Sequence, residues 1–147
     1  MAQQRRYSFK QIGIHADGRT SVLYTAPAEA DIVTTDADLA GFKSLMDPYR
    51  ASPWIWVFDC RGMKMAHYTN MRFCRALHHI LTTEHSTSLQ AVWILNINTW
   101  LRGVLGFFPL NKAIILPSER LELFIQMKKA GVPDTLVNQL LDAIADK

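Results

Sequence analysis

The chain has 147 residues, of which 49% are hydrophobic and 20% charged, and its formal net charge is +3. These values are typical of one globular domain and exclude a disordered or low-complexity chain. The apolar runs fall well short of the ~20 residues that a membrane-spanning helix needs, and none follows the first basic residues as in a signal peptide. Since Cys60 and Cys74 form no metal-type or redox-type pair, we expect one domain over residues 1–147 in a reducing compartment.

The first predicted elements form a β-hairpin. Residues 7–14 and 21–25 have the composition of strands, and Asp17-Gly18 between them favours a tight turn. A polar connection then leads to a predicted helix over residues 38–46, which Asp47-Pro48 ends.

Three short apolar segments follow, at residues 54–58, 91–95 and 112–116. Segments of this length, rich in aromatic and β-branched residues, are typical of strands covered on both faces. Helices are predicted between them, over residues 69–83, where Met71, Cys74, Leu77 and Leu81 recur at helical spacing, and over residues 98–110. Strands joined through helices are usually parallel neighbours with right-handed crossovers. We therefore predict an α/β fold with a mixed, largely parallel sheet, helices on both faces and an N-terminal β-hairpin.

The helix over residues 98–110 is unusual because it is strongly apolar and yet contains two glycines. Asn98 is its predicted N-cap, and Pro109 is expected to end it. Its broad apolar face consists of Trp100, Leu101, Val104, Leu105 and Phe108, widened by Phe107. Gly103 and Gly106, on the other side, each cost ~1 kcal/mol relative to alanine. The helix is either a lid over a removable ligand or an ordinary core helix whose glycines permit close packing.

Residues 60–83 contain four lysines and arginines and three histidines but no acidic side chain. Such a local excess of positive charge can attract an anionic membrane surface, or it can be the solvated face of a helix. The candidate membrane-facing residues are Lys64, Arg72 and Arg75. Nucleic acid is not expected as a partner, because no recognised nucleic-acid motif accompanies the basic segment.

The residue types of common active sites form no recognisable pattern. The five histidines lack the spacing of metal ligands, and neither a Gly-x-Ser-x-Gly elbow nor a Walker-type phosphate loop is present. Cys60 could act as a nucleophile with one of the histidines, but a buried structural cysteine is commoner at the end of a strand. We therefore predict a protein that is not an enzyme, with no catalytic residues, no metal site and no cofactor.

Several segments together carry a family resemblance. They are Ile14-His15-Ala16-Asp17-Gly18-Arg19 before a strand, Asp59-Cys60-Arg61-Gly62 and Asn96 after strands, Phe107-Phe108-Pro109-Leu110 after the apolar helix, Lys112 at the start of a strand, and Gly131-Val132-Pro133. In their order and spacing they resemble the CRAL-TRIO lipid-binding family, which includes retinaldehyde-binding, tocopherol-transfer and phosphatidylinositol-transfer proteins. The resemblance runs from about Gly13 to Leu141.

The resemblance implies a sheet floor with a hydrophobic pocket above it, covered by a gate helix over residues 98–110. The ligand would be a small hydrophobic molecule or a phospholipid, which the protein would bind and transfer. The implied ligand-binding residues are Trp56, Phe58, Trp93 and Leu95 on the sheet, Trp100, Leu101, Val104, Leu105, Phe107 and Phe108 on the gate helix, and Lys112, whose counterpart contacts phosphate in phosphoinositide-binding relatives. For the tryptophans, a place in the ordinary core remains an open alternative.

The chain also departs from the family's pattern. It has His85-Ser86-Thr87-Ser88 where relatives have a Tyr-Pro-Glu-Arg-like turn, and Asn96-Ile97-Asn98 where they have Asn-Ala-Pro. Because few residues precede the first strand, the family's N-terminal helical lobe is expected to be missing. These departures weaken the case for phosphatidylinositol and leave open an alternative function as a non-catalytic protein-interaction module with a collapsed pocket. In both cases we expect a cytoplasmic protein, with peripheral membrane attachment in the first.

Overall fold

The computed structural model describes residues 9–26, 36–61, 71–117 and 119–145, apart from the side chains of residues 100, 144 and 145. The strands are β1 (Lys10–Ile14), β2 (Ser21–Thr25), β3 (Trp54–Asp59), β4 (Leu89–Leu95) and β5 (Ala113–Ile115). The helices are α1 (Asp36–Met46), α2 (Met71–Thr82), α3 (Thr99–Phe107), α4 (Arg120–Lys129) and α5 (Asp134–Ala145). A short 3-10 helix, Asp47–Tyr49, follows α1.

The five strands form one sheet in the order β1-β2-β3-β4-β5. β1 and β2 are antiparallel, and each later pair is parallel. Because β2 to β5 succeed one another in space as in sequence, right-handed crossovers place α1, α2 and α3 on the same face of the sheet. The predicted fold, largely parallel with an N-terminal hairpin, is confirmed.

Hydrophobic cores cover both faces of the sheet. Trp56 and Val92 pack on the face that carries α1, α2 and α3. Their neighbours along the strands, Val57 and Trp93, pack on the opposite face with the buried residues of α4 and α5. All four are almost completely buried, which explains why the strands are apolar at every position.

The hairpin turn owes its shape to Asp17 and Gly18. Gly18 has a φ of +71°, in the left-handed region that glycine enters without steric cost. Asp17 Oδ1 accepts hydrogen bonds from the amides of Arg19 and Thr20, each at 2.8 Å. The hydrogen bond from the Thr20 hydroxyl is the main cause that lowers the pKa of Asp17 to about 2. The carboxylate therefore stays ionised and fixes the turn.

Some boundaries differ from the predicted ones by a few residues. β4 begins at Leu89, which pairs with Trp54, and α1 begins at Asp36. α3 ends at Phe107, three residues before the predicted end at 110. The reason is that Pro109 disfavours helical backbone at the preceding residue, and Phe108 accordingly has φ −126° and ψ 71°.

Candidate ligand-binding cavity

A cavity of about 130 Å³ lies between the sheet and the helices α2 and α3. β3 and β4 supply its floor, α2 supplies a side wall and α3 covers it. The lining side chains are apolar except for the thiol of Cys74, the imidazole of His78 and the indole nitrogen of Trp56. Such a lining suits a hydrophobic ligand.

The floor is one face of the two central strands. Trp56 pairs with Val92, and Phe58 pairs with Ile94, so the parallel register places the four side chains on the same face. The indole nitrogen of Trp56 donates a 2.8 Å hydrogen bond to Thr25 Oγ1, which satisfies its polar edge. The rings of Trp56 and Phe58 meet edge to face with centroids 5.3 Å apart. The floor is therefore a packed aromatic surface with its polar group bonded elsewhere.

The side wall is one face of α2. Its residues lie at helical spacing: Phe73, Cys74, Leu77, His78 and Leu81. His78 Nε2 lies 2.6 Å from the Pro109 carbonyl oxygen, and the nitrogen must donate this hydrogen bond because a carbonyl oxygen can only accept. The His78 ring also packs at 6.0 Å from the ring of Phe108. His78 therefore fastens α2 to the segment that follows α3.

The cover is the apolar face of α3 together with the residue after it: Leu101, Val104 and Leu105 of the helix, and Phe108 beyond its end, line the cavity. The helix begins as predicted, because Asn98 Oδ1 accepts a 2.9 Å hydrogen bond from the amide of Leu101. Leu101 is buried, while the other three are half-buried. The sequence thus forms a capped amphipathic helix with one face closed over the cavity.

The two glycines of α3 lie on its solvent side. Gly103 and Gly106 are exposed, and a Cβ added to either meets no atom of the described residues within 4 Å. The described structure therefore gives no close packing at these positions, which was the alternative explanation for them. What remains is their effect on helix propensity, which makes α3 easier to unwind than an alanine-containing helix.

Six of the predicted ligand-binding residues come together around the cavity: Trp56, Phe58, Leu101, Val104, Leu105 and Phe108. Trp93 and Leu95 lie on the opposite face of the sheet, in the core beneath α4 and α5, because alternate residues of a strand point to opposite faces. Phe107 is 75% exposed and does not line the cavity. The prediction for Trp100 concerns a side chain outside the described part of the chain.

The sequence also left some lining residues unassigned to the pocket. Val92 and Ile94 are the register partners of Trp56 and Phe58, and parallel pairing of the two strands could have found them. Five residues of α2 also line the cavity, and for three of them, Cys74, Leu77 and Leu81, the helical spacing was visible in the sequence. Leu110, after the end of α3, carries no such signal.

Lys112 has main-chain partners. Its Nζ donates hydrogen bonds to the carbonyl oxygens of Ser86, at 2.6 Å, and Leu89, at 2.5 Å. Residue 86 precedes β4 and Leu89 begins it, so the ammonium group holds the start of this strand against the residue before β5. These bonds explain a lysine next to an apolar strand without a phosphate, and a role in ligand binding stays a prediction.

The basic segment is described in part. Arg72 and Arg75 are exposed on α2, and Arg72 Nη2 lies 3.6 Å from Asp36 Oδ2 in an ion pair whose two side chains are largely in solvent. Such a pair contributes little to stability. Lys64 lies outside the described residues. In the described ranges, no helix combines the length and the apolar character needed to cross a membrane.

The thiols show no sign of activation. Burial raises the pKa of the Cys60 thiol far above its ordinary value, and burial also raises the pKa of Cys74. Cys60 is almost fully buried, with Sγ 3.9 Å from the carbonyl oxygen of Phe58. A nucleophilic role for Cys60 is therefore disfavoured, since the thiolate is the reactive form. Among the described residues, no three histidine, cysteine or acidic side chains lie together as a metal site would require.

In a comparison with family models, residues 39–134 match the divergent CRAL/TRIO domain. The chain belongs to this family. A search of the curated proteins found no match. CRAL/TRIO domains in general bind lipids or other small hydrophobic molecules and do not catalyse reactions.

The matched residues of the chain run from within α1 to the first residue of α5, so they include every element that lines the cavity. β1 and β2 precede the match, but they belong to the same sheet, since β2 pairs with β3 along its whole length. The family assignment and the apolar cavity therefore concern the same part of the molecule.

Proposed function

We propose that the protein binds a small hydrophobic ligand or the apolar part of a lipid in the cavity beneath α3, which acts as a gate, and that it transfers this ligand between membranes. The observation that carries the proposal is the cavity itself. Its floor, side wall and cover are apolar, and its cover is a single helix. Family membership supports the same class of ligand.

The size of the cavity bears on how a ligand would be admitted. A dry apolar cavity of ~150 Å³ can hold a molecule of the size of benzene, whereas drug-sized ligands occupy ~300–1,000 Å³. At about 130 Å³ the cavity is of the first kind. A lipid chain therefore requires α3 to move away from the floor. The apolar surface of the lipid would then replace the contacts that Leu105 and Phe108 lose, and burying that surface stabilises the complex by ~25 cal/mol per Å².

The construction of α3 is compatible with such a movement. Gly103 and Gly106 weaken the helix, and its end is held to α2 by His78 through the Pro109 carbonyl. Phe107 projects into solvent from the outer side of the gate, and the exposed Arg72 and Arg75 lie on α2. We propose that these basic side chains, with Lys64, bring the gate to an anionic membrane, where Phe107 inserts among the lipids.

The direct test is native mass spectrometry of the purified protein, followed by uptake of a fluorescent fatty acid from vesicles. A bound lipid in stoichiometric amount, or saturable uptake of the probe, is the expected result. Protein without lipid that also fails to take up the probe would contradict the proposal.

A second function, as a protein-interaction module, is favoured by a different observation. Two consecutive elements expose large apolar side chains: Ile114 and Ile115 on β5, and Leu121, Phe124 and Ile125 on α4. Exposed apolar groups of this kind mark contact surfaces. In this function the small cavity is simply closed. In that case the wild type should sediment as an assembly, aspartate at both Leu121 and Ile125 should disrupt that assembly, and neither protein should take up the fluorescent fatty acid. A wild type that sediments as a monomer and takes up the fatty acid would contradict this function.

A further inference from the structure

A second cavity, of about 410 Å³, lies at the amino ends of β2, β3 and β4. Three segments surround it: the hairpin turn with Arg19, the residues before β3 with Arg50 and Ser52, and the residues before β4 with Thr87 and Ser88. It shares no lining residue with the cavity beneath α3, and its surface is mostly polar. The protein therefore has two cavities of opposite chemical character.

Two arginines line this cavity, Arg19 and Arg50, and their guanidinium groups have little competition for them. Arg50 Nη1 lies 3.8 Å from Glu84 Oε1, but the same oxygen receives Lys43 Nζ at 2.8 Å, so the lysine is the principal partner of Glu84. Arg19 has no ion-pair partner among the described residues. Both arginines are exposed and can turn toward a ligand.

The single carboxylate in the lining is already committed to the turn. Asp17 accepts hydrogen bonds from the amides of Arg19 and Thr20 and from the Thr20 hydroxyl. A metal cation would need several free oxygen ligands of this kind, so the lining does not suit one. The two positive side chains instead outnumber the one negative side chain.

Hydroxyl and amide groups complete the lining. Ser88 is 5% exposed, and its Oγ lies 3.3 Å from His85 Nδ1, which already accepts a hydrogen bond from Trp54 Nε1 at 3.2 Å. Because that nitrogen has one lone pair, the Ser88 hydroxyl is available to another acceptor. Gln90 Nε2 donates to the carbonyl oxygens of Thr87 and Ser88, which fixes the wall beside it.

We propose that this cavity binds a phosphate monoester of a small hydroxylated compound. A guanidinium group presents paired donors that match phosphate oxygens, and two of them balance the charge of a monoester. The hydroxyls of Ser52, Thr87 and Ser88 can bond to the remaining oxygens and to the hydroxyl groups of the ligand. The volume lies within the range of small-molecule sites. This site does not depend on the lipid-binding proposal, since it involves other residues.

The test is calorimetric titration with glycerol 3-phosphate, with glycerol as the uncharged control. Arg19→Gln and Arg50→Gln are each expected to weaken binding by roughly tenfold or more, as for loss of a charge-assisted pair. Lys129→Gln is the matched control, because Lys129 is an exposed base at the end of α4, outside the lining, and its loss changes the net charge equally. Arg50→Lys, which keeps the charge but not the paired donors, should bind with intermediate affinity. Thermal melts show whether each variant is folded.

A second arm distinguishes the source of the phosphate, using phosphatidylcholine vesicles with and without phosphatidic acid, whose headgroup is also a phosphate monoester. Arginine-dependent binding of free glycerol 3-phosphate supports a soluble ligand, and arginine-dependent binding only to phosphatidic acid supports a lipid headgroup. The proposal is overturned if neither probe binds, if glycerol binds as well as its phosphate, or if Lys129→Gln weakens binding as much as the arginine variants do.

Discussion

Tyr24 Oη donates a 2.5 Å hydrogen bond to Asp59 Oδ2, and this buried pair joins the end of β2 to the end of β3. Asp59 is 1% exposed, and its other oxygen accepts from Asn96 Nδ2 at 2.9 Å and from the Arg61 amide at 3.0 Å. Asn96 follows β4 with a φ of +56°, which asparagine tolerates better than most residues. Both carboxylate oxygens are therefore hydrogen-bonded, and the carboxyl ends of three neighbouring strands are held together.

The Tyr24→Phe variant should be less stable because it removes one hydrogen bond from a buried carboxylate. We expect the free energy of unfolding, measured by urea titration, to fall by about 1–3 kcal/mol. Tyr49→Phe is the control, since Tyr49 is only half-buried and packs on Trp54 through its ring, with centroids 6.0 Å apart. Its change should stay within about 0.5 kcal/mol. Equal losses in the two variants would show that the bond to Asp59 contributes nothing.

The Trp54–His85 contact predicts a dependence of stability on pH. His85 is fully buried, its Nδ1 accepts from Trp54, and its Nε2 has no hydrogen-bond partner in the described part of the chain. Burial lowers the pKa of His85 below its ordinary value of about 6.5. In the unfolded chain the same histidine titrates near the ordinary value, so below that pH the unfolded state binds more protons than the folded state.

The stabilisation from neutral His85 is therefore complete above pH ~6.5 and is lost as the pH falls from there toward the lower pKa of the folded state. Urea titrations at pH 7.5 and 5.5 measure this loss. His85→Asn keeps an acceptor near the position of Nδ1 but does not titrate, so its loss between the two pH values should be smaller. His79→Asn, at an exposed histidine of α2, should behave as the wild type. If His85→Asn loses as much stability between the two pH values as the wild type does, other groups cause the effect.

The order of strands and helices could be predicted because each buried strand is a short apolar run and each helix has its own spacing. The strand residues that face the cavity could not be predicted, because strands covered on both faces are apolar at every position and no alternation of polar residues marks one face. Trp56 and Trp93 look equivalent in sequence, yet they lie on opposite faces. The partners of Lys112 were equally hidden, because the carbonyl oxygens it meets belong to residues more than 20 positions earlier.

Replacing Gly103 and Gly106 by alanine should strengthen the gate. Neither new Cβ meets a described atom within 4 Å, so each change is expected to stabilise α3 by about 0.5–1 kcal/mol through helix propensity. Opening by local unwinding then becomes rarer, and the half-buried Cys74 in the cavity wall should react more slowly with a thiol reagent under native conditions. An unchanged or faster rate would mean that α3 does not unwind when the cavity opens.

Cys60 and Gly13 supply the controls for that measurement. Cys60 is almost fully buried away from the cavity lining, so its thiol should react only when the whole domain unfolds. Gly13→Ala places a Cβ 2.7 Å from Leu136 Cδ1, and because Leu136 is almost completely buried and has little room to move away, this clash should destabilise the packing of α5 on β1. The variant should therefore lower global stability without the selective slowing at Cys74 that the two α3 variants show.

Binding to anionic vesicles should depend on Arg72 and Arg75. Both are exposed on α2, and the partner of Arg72, Asp36, is itself largely in solvent and competes weakly. Replacing both arginines by glutamine should weaken binding to phosphatidylserine vesicles by roughly tenfold or more, at ~1 kcal/mol for each basic residue near the surface. Binding by the wild type should fall steeply with salt, because charges in solvent are screened. Insensitivity to salt in a co-sedimentation assay would contradict a membrane-facing role.

The gate face itself is tested by three aspartate variants on one helix and the segment after it. Leu105 and Phe108 line the cavity, so Leu105→Asp and Phe108→Asp place a charge in an apolar space and should abolish retention of a fluorescent fatty acid. Phe107→Asp introduces the same charge at a neighbouring residue that is 75% exposed, and it should retain the probe. If Phe107 inserts into membranes, that variant should still lose transfer between vesicles, which separates binding from delivery. Circular dichroism checks that the sheet remains folded in all three. Equal retention of the probe by the three variants would place the ligand elsewhere. Equal loss would mean that a charge on either side of the cover disrupts it, so the loss would not be specific to the face that lines the cavity.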